Sequence, residues 1–175
     1  MVGLRDTLPE TITTERLVLT TPVLAHAPDM AELANNPIIY RVLARLPHPY
    51  ELEHARVFIQ TIARGSENFA WAILRDGKFL GVVGLHLLPD ELPELGYWLG
   101  QPFWGHGYAT EAATAVVAAA RAAGFPALRS RALLSNAGSR NVLRKVGFVE
   151  TGQGIDPDGT LKGRPVARLL LEFAL

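Results

Sequence analysis

Two closely spaced glycines stand between a strand-like segment and an alanine-rich segment in the middle of the chain. The letters WLGQPFWGHGYATE cover residues 98–111, and these glycines are Gly105 and Gly107. Glycine lets the backbone take unusual angles and lets an anion approach it closely. A helix that starts just after the loop adds free N–H groups and the positive end of its dipole. The sequence therefore predicts an anion site that could bind a diphosphate.

Two common diphosphate-binding motifs do not fit this loop. A P-loop needs a lysine after its last glycine, and no lysine follows Gly107. A dinucleotide fingerprint needs a third glycine, where Thr110 stands, and a later acidic residue, where the sequence has LRSRALL. A glycine pair alone also fits an ordinary turn. A nucleotide-binding protein is therefore a distant alternative.

The elements around the loop follow from hydrophobic periodicity and turn residues. Strands are predicted at 16–20, 69–75, 79–88, 91–100, 127–134, 147–152 and 164–175. Helices are predicted at 29–36, 52–62, 109–120 and 137–146. The Asp-Gly pair at residues 76–77 predicts a hairpin. This order indicates a mixed α/β protein and not a strictly alternating, doubly wound one.

Taken with its flanks, the loop resembles the GNAT superfamily of acyl-CoA-dependent N-acyltransferases, and more narrowly its RimJ/RimL-like branch. The motif WGHGYATEA is preceded by ELGYWL and followed by NAGSRNVLRKVGF. In that superfamily the pattern Gln/Arg-x-x-Gly-x-Gly/Ala binds the pyrophosphate of coenzyme A. Here Gly107 and Ala109 match, while Trp104 replaces the usual Gln or Arg. The resemblance thus implies an anion bound by backbone groups.

This resemblance covers nearly the whole chain, because TERLVLTTP, PHPYELEHARVFI and the last strand also fit the branch. It implies the GNAT fold, a mixed α/β (α+β) fold in which a central, mostly antiparallel sheet is splayed in the middle and flanked by helices. We expect one GNAT domain over residues 1–175. The resemblance also implies acetyl-CoA as cosubstrate.

Cofactor contacts are carried over from the family residue by residue. The pantetheine arm would lie in the splayed sheet and pair with the strand backbone at Trp98 and Leu99. We expect the side chains of Trp98 and Trp104 to pack against the protein. Asn136 would bind the pantetheine or, equally well, cap the next helix. The implied set is Trp98, Leu99, Gly105, His106, Gly107, Tyr108, Ala109, Thr110, Asn136 and Ser139.

Amide formation from a thioester needs a neutral amine and a proton for the leaving thiolate. Glu94 is the first candidate base, since period two puts it on the same side of its strand as Trp98, and His86 is the second. Ser139 matches the serine proposed in the branch as proton donor to the leaving thiolate. Its alternative, purely structural role is to cap a helix. Many relatives have a tyrosine acid where this chain has Leu143. We expect Glu111 to complement the helix dipole.

The acceptor cannot be identified from the sequence. The resemblance places it among residues 40–50, Trp71 and the segment 156–163. Both a small amine and a peptide or protein N-terminus are acceptors that the resemblance allows. A non-catalytic acyl-CoA-binding or sensing module is the main alternative function, in which the groove persists without the acid and base.

Composition limits the remaining partners. Seventeen basic and 17 acidic residues give zero net charge, so no overall field favours nucleic acid or anionic membrane, and we expect neither as a partner. The chain has no cysteine, which excludes thiol catalysis, and its five histidines lack ligand spacing, so we expect no metal. Without a secretory pattern at the start we expect a cytoplasmic protein. The protein could be a homodimer, which the sequence does not decide.

Overall fold

A computed structural model describes residues 3–174 of the chain. Its strands form one eight-stranded sheet with the order β1-β2-β3-β4-β5-β6-β8-β7. The strands are β1 (Ile12–Thr13), β2 (Val18–Thr20), β3 (Asn68–Arg75), β4 (Lys78–His86), β5 (Glu94–Leu99), β6 (Ala127–Leu133), β7 (Val149–Ile155) and β8 (Pro165–Glu172). The α-helices are α1 (Ala27–Ala34), α2 (Pro37–Tyr40), α3 (Leu52–Val57), α4 (Tyr108–Ala123) and α5 (Ala137–Val146).

Neighbouring strands are antiparallel except for one pair. β5 and β6 run parallel, and their pairing is confined to Glu94 and Arg129. The register between β4 and β5, in contrast, continues from Glu94 to Leu99. The two strands therefore separate beyond Glu94, which confirms the predicted mostly antiparallel sheet that is splayed in the middle.

The β3–β4 hairpin forms where the Asp-Gly pair predicted it. Asp76 and Gly77 have φ angles of 49° and 77°, which the tight two-residue turn of a hairpin requires. Arg75 pairs with Lys78 across the turn. The hairpin sets the register of β4 and, through it, of β5.

Helices cover both faces of the sheet and bury two apolar clusters. One cluster joins α4 and α5 to the sheet through Val116, Leu143 and Leu95. The other joins α1 and α3 to the opposite face, with Met30 and Trp98 among its members. Along β5 the side chains alternate between these clusters, so Trp98 faces α1 and α3 while its two neighbours face α4 and α5.

Most predicted elements are present, with shifted ends. The short helix α2 was not predicted, and the predicted helix 52–62 is α3 followed by a π-helical turn, Phe58–Ile62. The predicted last strand ends at Glu172, and its final residue, Leu175, lies outside the described residues. Among the described residues, no helix is long and apolar enough to cross a membrane.

Candidate active site

A cavity of about 670 Å³ opens where β5 and β6 separate. Residues 95–99 of β5 and 130–132 of β6 line it, together with residues of the loop before α4 and one face of α5. Ser130 marks the point of divergence, because its buried hydroxyl donates to the Leu95 carbonyl across the two strands (2.9 Å). Past this point the edge of β5 faces the cavity instead of β6, so its backbone groups can pair with a ligand.

The loop before α4 has the geometry of an anion site. Gly105 and Gly107 have φ angles of 78° and 79°, a region that favours glycine. Helix α4 begins at Tyr108, and its first backbone bond runs from the Glu111 N–H to the Gly107 carbonyl (3.0 Å). The N–H groups of residues 108–110 therefore have no acceptor within the helix. Since these residues line the cavity, the N-terminus of α4 is open to an anion there.

Trp104 directly precedes the two glycines of this loop. Its indole N–H donates to the Leu99 carbonyl (2.8 Å), and the residue is 42% exposed. This bond joins the loop back to the end of β5. The packing role expected for Trp104 agrees with this bond, although the side chain also lines the cavity.

Two hydroxyl groups meet in the wall of the cavity. The Tyr97 hydroxyl and Ser139 Oγ are 3.0 Å apart, and either can be the donor. Tyr97 lies on β5 and Ser139 in the first turn of α5. Burial raises the pKa of Tyr97, and the hydrogen bond from Ser139 only partly opposes this shift. Tyr97 is therefore a neutral hydroxyl at physiological pH. Sequence reasoning missed it, although Tyr97 lies between the cavity residues Leu95 and Leu99 at strand spacing.

Asn136 caps helix α5. Its side-chain oxygen accepts from the Ser139 N–H (3.1 Å), which is the capping role left open by the sequence. Because Asn136 supplies the cap, the Ser139 hydroxyl is free to bond Tyr97. The plainer role considered for Ser139, a helix cap, is thus wrong. Both residues line the cavity.

The two candidate bases lie at the edge of the site and do not line the cavity. Glu94 and His86 are cross-strand neighbours on β5 and β4. The Glu94 carboxylate lies between Arg129 (3.6 Å) and Arg131 (3.4 Å). Its oxygens are thus shared by two guanidinium groups.

His86 has partners on both ring nitrogens. Arg45 Nη1 is 2.8 Å from Nε2, and Asn68 Oδ1 is 3.2 Å from Nδ1. A guanidinium only donates, so Nε2 accepts and the imidazole is neutral with its proton on Nδ1. Burial lowers the pKa of His86, and the positive charge of Arg45 lowers it further, against the opposing effect of Glu94 and Glu67.

His106 and Glu111 lie behind the anion loop and not inside the cavity. Arg16 donates to the His106 carbonyl (2.8 Å) and to Glu111 Oε1 (2.7 Å). Thr14 and the Arg16 N–H donate to the other oxygen of Glu111. Burial acts to raise the pKa of Glu111, but these hydrogen bonds outweigh it and leave the pKa lowered. Glu111 thus anchors the N-terminal segment to α4, beyond the dipole role expected for it.

The predicted acceptor region is only partly assembled at the cavity. Trp71 is wholly buried in the core, where its indole N–H donates to the Pro9 carbonyl (3.0 Å), so the expectation that it contacts the acceptor is wrong. Val42 and Leu43, from the segment 40–50, do line the cavity. In the segment 156–163 the Thr160 N–H donates to the Ala44 carbonyl (3.0 Å), which joins the two segments.

The family is decided by a comparison with family models. The model described as an acetyltransferase (GNAT) domain matches residues 16–149, which is most of the chain. The chain belongs to the GNAT family. It is therefore an acyltransferase, as the resemblance implied.

Solved structures of acetyltransferases show the same fold. A structure of the microcin C7 self-immunity acetyltransferase MccE with acetyl-CoA and AMP has a TM-score of 0.83 at 19% identity, covering 95% of this chain and 98% of that one. The ribosomal L7/L12 α-N-protein acetyltransferase RimL with coenzyme A has a TM-score of 0.83 at 18% identity, covering 94% and 98%. Mycobacterium smegmatis RimJ with CoA-disulfide has a TM-score of 0.76 at 18% identity, covering 89% and 81%. A search of curated proteins finds no significant match.

In this GNAT protein the position of the common tyrosine acid belongs to the core. Leu143 is fully buried, whereas its neighbour Val142 lines the cavity. The hydroxyl groups of the site instead come from Tyr97 and Ser139. Sequence reasoning also missed Lys145, which adds a cation to the cavity wall near the end of α5. Within residues 3–174 no cluster of His, Asp and Glu could hold a metal ion.

Proposed function

We propose that this GNAT acyltransferase moves the acetyl group of acetyl-CoA to a primary amine, which attacks the thioester directly. The observation that carries the proposal is the cavity between β5 and β6, because it joins an anion site at α4 to a bonded pair of hydroxyl groups at α5. MccE, RimL and RimJ, which share the fold, were solved with acetyl-CoA, coenzyme A or a CoA-disulfide.

The cavity suits each part of acetyl-CoA. The pyrophosphate would bind the N–H groups at Tyr108–Thr110, in the loop that Gly105 and Gly107 keep open. The pantetheine arm would run along β5 at Trp98 and Leu99. Asn136, which lines the cavity, would contact the arm, and Lys145 would offer a charge for a phosphate. His106 supports the loop from outside the cavity, through its carbonyl bond to Arg16.

The chemistry needs one bond made, one bond broken and two proton transfers. The neutral amine attacks the thioester carbon and forms the C–N bond, while negative charge develops on the thioester oxygen. Backbone N–H groups at the edge of β5 would stabilise that oxygen. The C–S bond then breaks, and the thiolate takes a proton from Ser139, which Tyr97 replaces across the 3.0 Å hydrogen bond; Tyr97 then regains a proton from solvent. The attacking nitrogen gives up the second proton.

We propose that this second proton leaves through water towards Glu94 and His86. Both side chains lie on the same face of the sheet as Trp98, at the end of the cavity where β5 and β6 still pair. Neither residue lines the cavity itself, so a water would have to bridge the distance. His86 is neutral and can accept a proton, provided that Arg45, which is exposed, releases Nε2.

Thiol release tests the proposed function directly. Because the chain has no cysteine, a thiol reagent detects only the coenzyme A that is set free. We expect release from acetyl-CoA that depends on both the protein and an added primary amine, with an equal amount of N-acetyl product. Acetyl-CoA binding without release for any primary amine or peptide N-terminus would instead support the non-catalytic binding module.

A further inference from the structure

The cavity has two different ends. At one end lie the anion loop, Tyr97 and Ser139, on the face that α4 and α5 cover. At the other end lie the side chain of Trp98, which packs in the α1 and α3 cluster, and the α2 region, where Val42 packs against the apolar cluster that contains Leu133 of β6. If coenzyme A occupies the first end, as proposed above, the acceptor amine must reach the thioester from the second. We refer to the second end as the acceptor end.

Apolar side chains wall the acceptor end. Ile38 and Ile39 of α2, Val42 and Leu43 just after it, and Trp98 all line the cavity. Ile38 is 47% exposed, so part of its apolar surface is open to a ligand in the cavity. Gly96 lies next to Trp98, and a Cβ placed there would meet nothing within 4 Å. The acceptor end therefore offers open space between apolar walls.

Charge at this end is unsuited to a second cation. Among the described residues that line the cavity none is Asp or Glu, and of the two charged ones Lys145 lies on α5, on the coenzyme A side, which leaves Arg131. The nearby carboxylates are already paired with arginine. Asp156 is buried against Arg131 Nη1 (2.9 Å), and Glu94 lies between Arg131 and Arg129. An ammonium group entering here would lose water without gaining a carboxylate.

We infer that the acceptor is a primary amine whose neighbouring substituent is apolar and carries no second positive charge. The inference rests on the proposed function and specifies its acceptor. Polyamines and lysine-rich N-termini are excluded as good acceptors. The same chemistry occurs in an alkylamine and in a peptide whose first side chain is apolar, so both are tested.

Two amines with the same carbon chain show the effect of a second positive charge on the rate. Hexylamine and 1,6-diaminohexane differ at one end only, and both are compared by kcat/KM for thiol release from acetyl-CoA. We expect hexylamine to be the better acceptor by about tenfold or more, because the distal ammonium has no carboxylate to meet. A second pair, peptides beginning with Leu or with Lys, should show the same preference if peptides reach the site.

A charge introduced at the wall should reverse this preference. Ile38→Glu places a carboxylate at the acceptor end, on an exposed position where the fold tolerates it, and should favour 1,6-diaminohexane by a factor of about three or more. Ile62→Glu is the matched control, because Ile62 is also exposed (42%) and does not line the cavity. The control should leave the preference of the unaltered protein unchanged.

The possible outcomes separate the two proposals. Equal or better use of 1,6-diaminohexane by the unaltered protein would overturn the inference and leave the transferase intact. An unchanged preference in Ile38→Glu would also overturn it, since the wall would then not contact the acceptor. Absence of thiol release with every amine and peptide would overturn the proposed function itself. A preference for the Leu peptide with no use of hexylamine supports the inference and identifies a peptide acceptor.

Discussion

Tyr97 and Ser139 are the residues on which the chemistry depends most. Their hydroxyl groups form a 3.0 Å hydrogen bond in the cavity wall, and Asn136 takes over the helix cap that would otherwise occupy Ser139. Leu143, the position of the tyrosine acid in many relatives, is buried in the core. The chain thus has a tyrosine hydroxyl at the site, supplied by β5 and not by α5.

Replacing either hydroxyl should slow the chemical step. We expect Ser139→Ala to lower kcat by about 100-fold, the lower end of what a general acid contributes, because water can partly replace the hydroxyl group. Tyr97→Phe should lower kcat less, because it only removes the group behind Ser139. The double variant should be no slower than Ser139→Ala. KM for acetyl-CoA, measured in the same assays, should change little. If the fold losses in kcat of the two single variants multiply in the double variant, the two hydroxyl groups do not act as a pair.

His86 should give the activity a distinctive pH dependence. Its pKa lies below the ordinary value of 6.5, mainly through burial and then through Arg45. The neutral, proton-accepting form therefore persists as the pH falls through 6.5, and kcat should decline only below that pH. His86→Gln should remove this decline, whereas Glu94→Gln should keep it. An identical acidic decline in His86→Gln would assign the proton to another group.

At the scale of elements, the anion loop is held from behind by the segment between β1 and β2. Arg16 bonds the His106 carbonyl and Glu111, and its guanidinium lies 4.6 Å from the centre of the Tyr108 ring. A diphosphate in the loop would lie near the Glu111 carboxylate. Arg16 and Thr14 neutralise and hold that carboxylate, so the segment prepares the loop for an anion.

We expect Arg16→Gln to weaken binding of acetyl-CoA about tenfold, because the loop loses its anchor and Glu111 is left unpaired. Acetyl-pantetheine lacks the diphosphate, so its KM should not change. Arg75→Gln is the control, since Arg75 also lies over the Tyr108 ring (5.3 Å). An equal effect on both thioesters would mean that Arg16 stabilises the fold generally and does not act on the loop.

The same contacts should make folding stability depend on pH. The folded-state pKa of Glu111 is lowered from its ordinary value of 4.5 by the bonds from Thr14 and Arg16, which overcome burial. The contribution of Glu111 to the free energy of unfolding is therefore complete above pH 4.5 and is lost as the pH falls through the folded value. Glu111→Gln should flatten the stability profile in this range, as measured by chemical denaturation. An unchanged profile would contradict the assignment.

On the scale of the whole molecule, the sheet consists of two parts that meet at a single residue pair. β1 to β5 form one part and β6, β8 and β7 form the other, joined at Glu94 and Arg129. Beside this pair, Ser130 bonds Leu95, and beyond it the cavity opens. A ligand in the cavity would contact both parts of the sheet and would therefore stabilise the fold.

Local signals in the sequence were sufficient for most of the elements and for the loop, although β1 and α2 were missed. The Asp-Gly turn, the glycines before α4 and the Gly124 end of that helix require particular backbone angles, so single residues reveal them. Residues 105 and 107–110, with Trp98, Leu99, Asn136 and Ser139, were assigned to the site by resemblance and do line one cavity. Their role in cofactor binding stays a prediction.

Contacts between distant segments could not be predicted in the same way. Trp71 is an aromatic residue on a strand, and only the packing of the whole sheet shows that it is buried in the core. Arg16 meets Glu111 across 95 positions, and Arg45 meets His86 across 41. Such pairs leave no local pattern, because each side chain alone resembles an ordinary surface charge.

Isothermal titration with acetyl-CoA tests the central claim most directly, namely that the α4 loop binds the diphosphate of acetyl-CoA. The proteins to compare are the unaltered chain, Gly107→Ala and Gly77→Ala. The two glycines have nearly equal φ angles, 79° and 77°, so both variants carry similar backbone strain, but Gly77 lies in the β3–β4 turn.

We predict that the unaltered protein binds acetyl-CoA in preference to ATP and NAD. Gly107→Ala should weaken acetyl-CoA binding by about tenfold or more, since its strain of 1–2 kcal/mol or so falls on the anion loop itself. Gly77→Ala should bind as the unaltered protein does. No binding of acetyl-CoA, or equal binding by both variants, would contradict the assignment of the loop.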